Sequence, residues 1–464
     1  VYMEPESLGE TPSILSWYGR LPETLLQNTK DKLIWLFDTY LQNALTFLRR
    51  FIDEIALTVN NNLTDSLMRI LDCFMAPYYV KEGVDPPTDE QLKKLDAGIE
   101  SLFLFSLIWS VGITCVESGR KRFDKYFRLE AHSNNVAIPF PKEGSVYDYT
   151  FDIESGRWVE WMSTLEHSFE YNPKANFSEL VVPTNDSVRN KYMLHLLLTQ
   201  GKHVLMVGPT GTGKTVNIQE YLLREMSDKY MPLTLSFSAR TSANQTQDIM
   251  DAKMEKRRKG IFGPPLGKHY IIYVDDFNMP QKEEYGAQPP LELVRQALAQ
   301  NGWYDRKILV FRKIIDRTFV TSMGTPGGGR NVISERVKRW FNIIGYTEMD
   351  DKSKEGIYST ILEGFLDNGF SDQAKRGMLE PMVKASLNVY STIIRDLLPT
   401  PANPHYTFNL RDFGKVFQGW MMTNPNEITT PDDGVRLWIH EMRRVFGDRL
   451  TSERDITWFG GVVE

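Results

Sequence analysis

The sequence predicts an α/β fold, a parallel sheet sandwiched by helices, with an all-α segment before it and another after it. Three observations predict it. An apolar run, Val204-Leu205-Met206-Val207, passes directly into the glycine-rich stretch Gly208-Pro209-Thr210-Gly211-Thr212-Gly213-Lys214-Thr215. Residues 181–345 alternate strand-like and helix-like apolar patterns, as in a doubly wound α/β domain. Residues 12–130 and 350–450 carry mainly the helical period.

Composition sets the class. The chain has 464 residues, 41% hydrophobic and 25% charged, with a net charge of −6. That is a globular composition with material for two to four domains. The mild acidity argues against a nucleic-acid binder with a basic surface. The two cysteines, Cys73 and Cys115, lack metal-ligand spacing and read as buried reduced thiols. The seven histidines are scattered, so no zinc site is expected. The start, Val1-Tyr2-Met3-Glu4-Pro5, has neither a basic nor an apolar region of the secretory kind, and it lacks an initiator Met. The expectation is a piece of a longer chain.

In order along the chain, Leu33, Phe37, Tyr40, Leu41, Ala44, Phe47 and Leu48 fall on one helical face. Leu63–Phe74 repeats the pattern, and Thr88 is placed to cap a helix from Asp89. Ser101–Cys115 is the most apolar run. It is shorter than the roughly 20 residues a bilayer needs, so a core helix is expected and no membrane contact. Residues 131–180 are irregular and aromatic; Trp158 and Trp161 read as packing residues. Within 181–345 the expected helices are Asn185–Leu198, Val216–Met226, Asn244–Lys256 and Leu291–Asn301. The expected strands are Val204–Val207, Leu233–Phe237, His269–Val274 and Thr318–Ser322. Lys253–Lys259 holds five basic residues and reads as a solvated helix end. Val435, Trp438, Ile439, Met442, Val445 and Phe446 make one apolar stripe near the C-terminus.

Strand, glycine-rich loop and Lys-Thr together point to a triphosphate site. Gly208, Gly211 and Gly213 let the backbone turn tightly and approach phosphate oxygens. With Pro209, Thr210 and Thr212 they aim N–H groups inward as an anion nest. A helix opening at Lys214 adds its positive dipole end. Lys214 can reach the β- and γ-phosphates, and the Thr215 hydroxyl can hold Mg²⁺. About 60 residues on, the strand Tyr270–Val274 ends in Asp275-Asp276. The first acid is suited to supporting Mg²⁺ and the second to orienting an attacking water. The glycines at 327–329 before Arg330 read as a turn.

Longer runs carry a resemblance. Ser236–Asp248 (SFSARTSANQTQD), Lys256–Lys268 (KRRKGIFGPPLGK), Val274–Pro280 (VDDFNMP), Tyr285–Pro290 (YGAQPP), Gly302–Asp305 (GWYD), Met323–Asn331 (MGTPGGGRN) and Tyr406–Asp412 (YTFNLRD) resemble axonemal dynein heavy chains. They point to the third AAA+ module of the motor ring. The resemblance implies a P-loop NTPase of AAA+ type with flanking all-α small subdomains. Residues 1–130 would be the small subdomain of the second module and 131–180 a connecting segment. Residues 181–345 would be the large nucleotide-binding subdomain, and 346–464 the helical lid.

By the same resemblance, Val182 and Pro183 would lie near the adenine and Asp275 would support Mg²⁺. Asp276 would position water, although AAA+ hydrolases usually carry Glu there. Arg411 looks like the sensor-2 arginine. Arg336 looks like an arginine finger offered to the preceding module, with Arg339 as the alternative because Glu335 stands where Pro is expected. Ser322-Met323-Gly324 lacks the usual sensor-1 Asn, which implies slow hydrolysis. The implied cofactors are ATP or ADP with Mg²⁺. The implied partners are other AAA+ modules, dynein light and intermediate chains, and microtubules through parts of the chain not seen here. The implied location is the cytoskeleton of the cytoplasm, in the cilium or flagellum axoneme. Two other readings stay open: an independent, midasin-like AAA+ remodelling ATPase, and a scaffold that holds nucleotide.

Overall fold

The computed structural model describes residues 7–80, 83, 85–165, 169–370, 372–428 and 430–463, so the Val1–Pro5 segment lies outside the described residues. Two units are present. One comprises Val1–Thr164, Val188–Pro209 and Gly213–Thr347; the other comprises Leu165–Ser187, Thr210–Thr212 and Glu348–Glu464.

The first unit begins with helices α1 (Thr11–Tyr18), α2 (Gln27–Leu36), α3 (Gln42–Phe51), α4 (Asn60–Met75), α5 (Asp89–Ser110) and α6 (Glu117–Ser133). A π-turn at Phe37–Leu41 joins α2 to α3 and keeps Phe37, Tyr40 and Leu41 buried. Thr88 caps α5 as expected, its hydroxyl accepting from Gln91 N at 3.3 Å. The segment Asp89–Thr114 is long and apolar enough to cross a membrane, yet 89% of its most apolar window is buried inside this unit. It is a core helix, packed on α2 and α4 and on aromatic rings such as Phe37, whose ring lies 5.0 Å from Phe103.

A two-stranded antiparallel hairpin follows, β1 (Tyr149–Asp152) and β2 (Arg157–Glu160), where the sequence predicted irregular chain. Trp161 is fully buried, its ring 5.9 Å from Trp109, and its N–H donates to Tyr147 O at 2.8 Å. That is the expected packing role.

Helix α7 (Asn185–Thr199) leads to strand β3 (Val204–Val207), helix α8 (Lys214–Glu220) and strand β4 (Tyr230–Ser236). Then come α9 (Ala243–Lys253), β5 (Glu255–Arg258), β6 (Ile261–Gly263) and β7 (His269–Asp275). The unit is completed by α10 (Pro289–Gln300), β8 (Gly302–Tyr304), β9 (Phe311–Ile314), β10 (Arg317–Met323), α11 (Glu335–Lys338) and β11 (Asn342–Gly345). The main sheet is parallel, in the order β11-β3-β10-β7-β4. Counted along the chain, its strands therefore lie 5-1-4-3-2.

The central strands are covered on both faces, which is why β3 and the middle of β7 read as unbroken apolar runs. Val204, Met206, Tyr273 and Val320 face a core shared with α2–α6 and the hairpin. Leu205, Val207, Val274 and Phe319 face a second core beneath α9 and α10. The edge strand β11 is covered by α4 and α5. Arg120 donates to Gly345 O there, and a Cβ at Gly345 would meet Ile113 O at 2.4 Å. Ser66 donates to Asn342 Oδ1 at 3.0 Å. Covering an edge in this way removes a template for unwanted strand addition.

The basic run requires a correction. Only Lys253 lies on α9. Glu255–Arg258 is the outer strand of a small sheet ordered β5-β6-β9-β8. A strand exposed at an edge tolerates, and is protected by, consecutive basic side chains.

The second unit contains helices α12 (Asp351–Leu366), α13 (Asp372–Asp396), α14 (Leu410–Trp420), α15 (Pro431–Val445) and α16 (Glu453–Val463). Its core includes Leu362, Ile393, Phe413, Trp420 and Met442. Of the predicted stripe on α15, Trp438, Met442, Val445 and Phe446 are buried, together with Gly434 and Glu441, while Val435 is 49% exposed. Gly434 lets the Met378 side chain pack close, its Sδ 2.4 Å from where a Cβ would stand.

Candidate functional site

At the C-terminal end of the main sheet, β3 turns into the glycine-rich loop. Gly211 and Gly213 take φ of +85° and +81°, a left-handed backbone natural to glycine. Gly208 is needed for a different reason from the expected one. A Cβ there would meet Tyr346 O at 2.4 Å, because the chain leaving β11 crosses the start of the loop. Tyr346 N donates to Val207 O at 2.6 Å, which fixes that crossing. Thr210–Thr212, the tip of the loop, groups with the second unit, where a Cβ at Gly211 would lie 3.3 Å from Asn409 Cβ.

Lys214 is 9% exposed and folds back along the loop. Its Nζ donates to Gly208 O at 2.9 Å and Pro209 O at 2.6 Å. Burial pushes its pKa down to about 8; Asp275 and Asp276 oppose this and Arg330 adds to it.

Asp275, at the end of β7, is the hub. Thr215 Oγ1 donates to its Oδ2 at 3.0 Å. Ser322 Oγ donates to Oδ1, and the Asp276 N–H also donates to Oδ1 at 3.0 Å. Tyr273 OH lies 3.1 Å from Ser322 Oγ, extending the chain into the sheet. The strand order explains the arrangement. β10 lies between β3 and β7, so a side chain at its end stands between the loop and the acid. A hydroxyl beside a carboxylate is a hard-oxygen pair of the kind Mg²⁺ takes. Neither Ser322 nor Tyr273 was assigned a role from sequence. Ser322 stood out only as part of a departure from the AAA+ pattern.

Asp276 sits at φ +52°, a left-handed conformation that Asp tolerates better than most residues. Asn278 is fully buried; its Nδ2 donates to Gly324 O at 2.9 Å and its backbone carbonyl accepts from Asn331 N at 3.1 Å. These bonds tie the segment after β10 to the segment after β7.

The remaining predicted residues are spread out. Arg336 and Arg339 are exposed around α11, and the Arg339 guanidinium lies over the Trp340 ring at 5.5 Å. Between them Lys338 is buried and donates to Leu57 O. Arg336 borders a cavity of 470 Å³ that Tyr285, Gln288 and Val332 also line. In the second unit, Val182 and Pro183 are half-buried ahead of α7. Arg411 is exposed in the first turn of α14, where Asn409 Oδ1 accepts from Arg411 N at 2.9 Å. Asp412 beside it is buried and paired with Arg449 at 2.8 Å and Lys415 at 3.1 Å.

Comparisons with known proteins match most of the chain to one family. A family model described as P-loop containing dynein motor region matches residues 169–349. A dynein heavy chain AAA lid domain model matches 33–163, and an AAA+ lid domain model matches 382–463. Dynein axonemal heavy chain 1 is 43% identical over 490 residues in Mus musculus and 44% over 486 in Homo sapiens. Dynein axonemal heavy chain 3 of Homo sapiens is 37% identical over 484 residues. These matches cover 99–100% of this chain but only 11–12% of each relative. The chain belongs to the axonemal dynein heavy chains, as a stretch of their AAA+ P-loop motor region.

Proposed function

We propose that this stretch is a nucleotide-binding module of a ciliary dynein motor that takes ATP or ADP with Mg²⁺ and hydrolyses slowly, in a regulatory role. The observation that carries this is the convergence of Thr215, Ser322 and the Asp276 N–H on Asp275, beside a buried Lys214. The residues suit the group. Lys214 and the loop would hold the phosphates, Thr215 and Asp275 would hold Mg²⁺, and the bound metal would neutralise charge on the transferring phosphoryl group.

Slow turnover follows from three features. Asp276 is shorter than the Glu usual in AAA+ hydrolases by one methylene, about 1.5 Å, and a misplacement near 1 Å can cost about a hundredfold in rate. Ser322-Met323-Gly324 carries no Asn where a polar sensor is common. Arg336 is exposed, as a finger offered to another module would be. The finger for the Lys214 site would in turn come from a neighbouring module. Arg411 would act as a sensor-2 arginine, and Val182 and Pro183 as adenine-side residues. In module terms, the helices before the hairpin would close the second AAA+ module, and the P-loop unit with its lid would be the third. Motion along microtubules, and attachment of light and intermediate chains in the axoneme, would belong to the whole heavy chain.

The test is turnover by the purified chain. It should bind a fluorescent ATP analogue and hydrolyse well below about 1 s⁻¹, since an arginine finger is worth roughly 10³–10⁵ in rate. Faster turnover by dilute monomer would overturn the shared-site reading. A rate that climbs steeply with concentration would favour an independent remodelling ring, and ADP retained through dialysis would favour a scaffold.

A further inference from the structure

The segment after β10 carries a cation that no sequence motif predicts. Gly327, Gly328 and Gly329 all take positive φ, and the turn is closed by two bonds, Gly327 N to Arg330 O at 3.0 Å and Arg330 N to Gly327 O at 3.1 Å. This brings the Arg330 side chain back over Gly324. A Cβ at Gly324 would lie 2.3 Å from Arg330 Nε and 2.5 Å from its Cδ, so the arginine occupies the space that the absent side chain leaves. Among the described residues, Arg330 Nε is buried without a hydrogen-bond partner. Asn331 Nδ2 donates to Pro280 O at 2.9 Å, and Asn278 holds Gly324 O, so the loop is anchored to the segment that follows Asp275 and Asp276.

We propose that Arg330 is a second phosphate-contacting cation of this site, its guanidinium filling the space beside Gly324 and recognising the terminal phosphate of ATP. The inference rests on the nucleotide-site reading above. Its position supports it. Arg330 rides on the loop that follows β10, between the phosphate-loop strand and the acid strand. The terminal phosphate is the group that faces the acids and the attacking water. An unpartnered guanidinium N–H is suited to an oxyanion, and planar guanidinium groups recognise phosphate with defined geometry.

The experiment titrates the 464-residue chain and its variants with fluorescent analogues of ATP and of ADP in the presence of Mg²⁺, alongside thermal melts. Arg330→Met should weaken ATP about tenfold or more, the worth of one charge-assisted hydrogen bond, and should change ADP affinity less than about threefold. Gly324→Ala should reproduce the ATP-selective loss by displacing the guanidinium, and the double variant should be no worse than either single one. Arg330→Lys should recover part of the ATP affinity. An unchanged ratio of ATP to ADP affinity in folded Arg330→Met or Gly324→Ala would overturn the proposal and leave Arg330 as a loop brace that shifts melting only. Wild-type protein that binds neither analogue would overturn the nucleotide-site reading, and this inference with it.

Discussion

Replacing Lys214 with methionine should stabilise the empty protein while destroying its affinity for nucleotide. The ammonium group is buried, and its pKa falls from 10.5 to about 8. At about 1.36 kcal/mol per tenfold change in protonation, the charged lysine costs the fold about 3 kcal/mol at neutral pH. The hydrogen bonds to Gly208 O and Pro209 O offset part of that, and methionine forfeits them. A net gain of about 1–2 kcal/mol remains, a rise of about 2–4 °C in a chain of this size. The pH dependence gives a sharper check. The folded pKa is depressed, so between about 8 and 10.5 the unfolded chain binds more protons than the folded one. Wild-type stability must therefore rise with pH through that window, whereas the methionine variant lacks this component. Calorimetry without nucleotide at pH 7, 8.5 and 10 should show the variant's advantage shrinking as pH rises. Titration with a fluorescent ATP analogue should show at least about a tenfold loss of affinity. A variant that melts below wild type at pH 7, or whose advantage is flat to pH 10, would refute the claim that this loop stores the cost of a buried cation for use against phosphate.

Two further perturbations probe the scaffold. His203 Nδ1 accepts from Phe319 N at 3.0 Å, and burial, with Arg317 and Arg69 adding, lowers its pKa from 6.5 to about 3. Folding therefore favours the neutral ring, and stability should be lost as pH falls from about 6.5 towards 3, by up to about 4 kcal/mol. His203→Asn, which keeps an acceptor near the same place, should flatten that acid limb in pH-dependent melting, and an unaltered slope would exclude His203 as its source. Gly208→Ala should cost about 1–3 kcal/mol through overpacking, because its Cβ meets Tyr346 O at 2.4 Å. It should also weaken nucleotide binding by moving a carbonyl that holds Lys214. Unfolding in urea at the wild-type midpoint would show that the crossing yields freely.

What the sequence determined by itself was local, or carried by a motif in which local chemistry is dense. The strand, glycines and Lys214-Thr215 specify a phosphate loop because each residue type does one job at fixed spacing. The same reasoning paired Thr215 with Asp275 across 60 residues, and their side chains do meet. The apolar helix after Asp89 and the Trp161 packing were legible because burial follows periodicity and size. Tertiary structure decided what depends on strand order and close approach. Ser322 reaches Asp275 only because β10 is inserted between β3 and β7, an ordering that no local pattern encodes. Gly324 and Arg330 are six residues apart in a glycine turn, and only the folded backbone shows that one vacates the space the other fills. The short strands β5, β6, β8 and β9 were missed because three or four residues carry too little of a two-residue period to be read. The parallel pairing of β6 with β9 joins segments distant in sequence, and its contribution to stability appears only once the chain between them has closed.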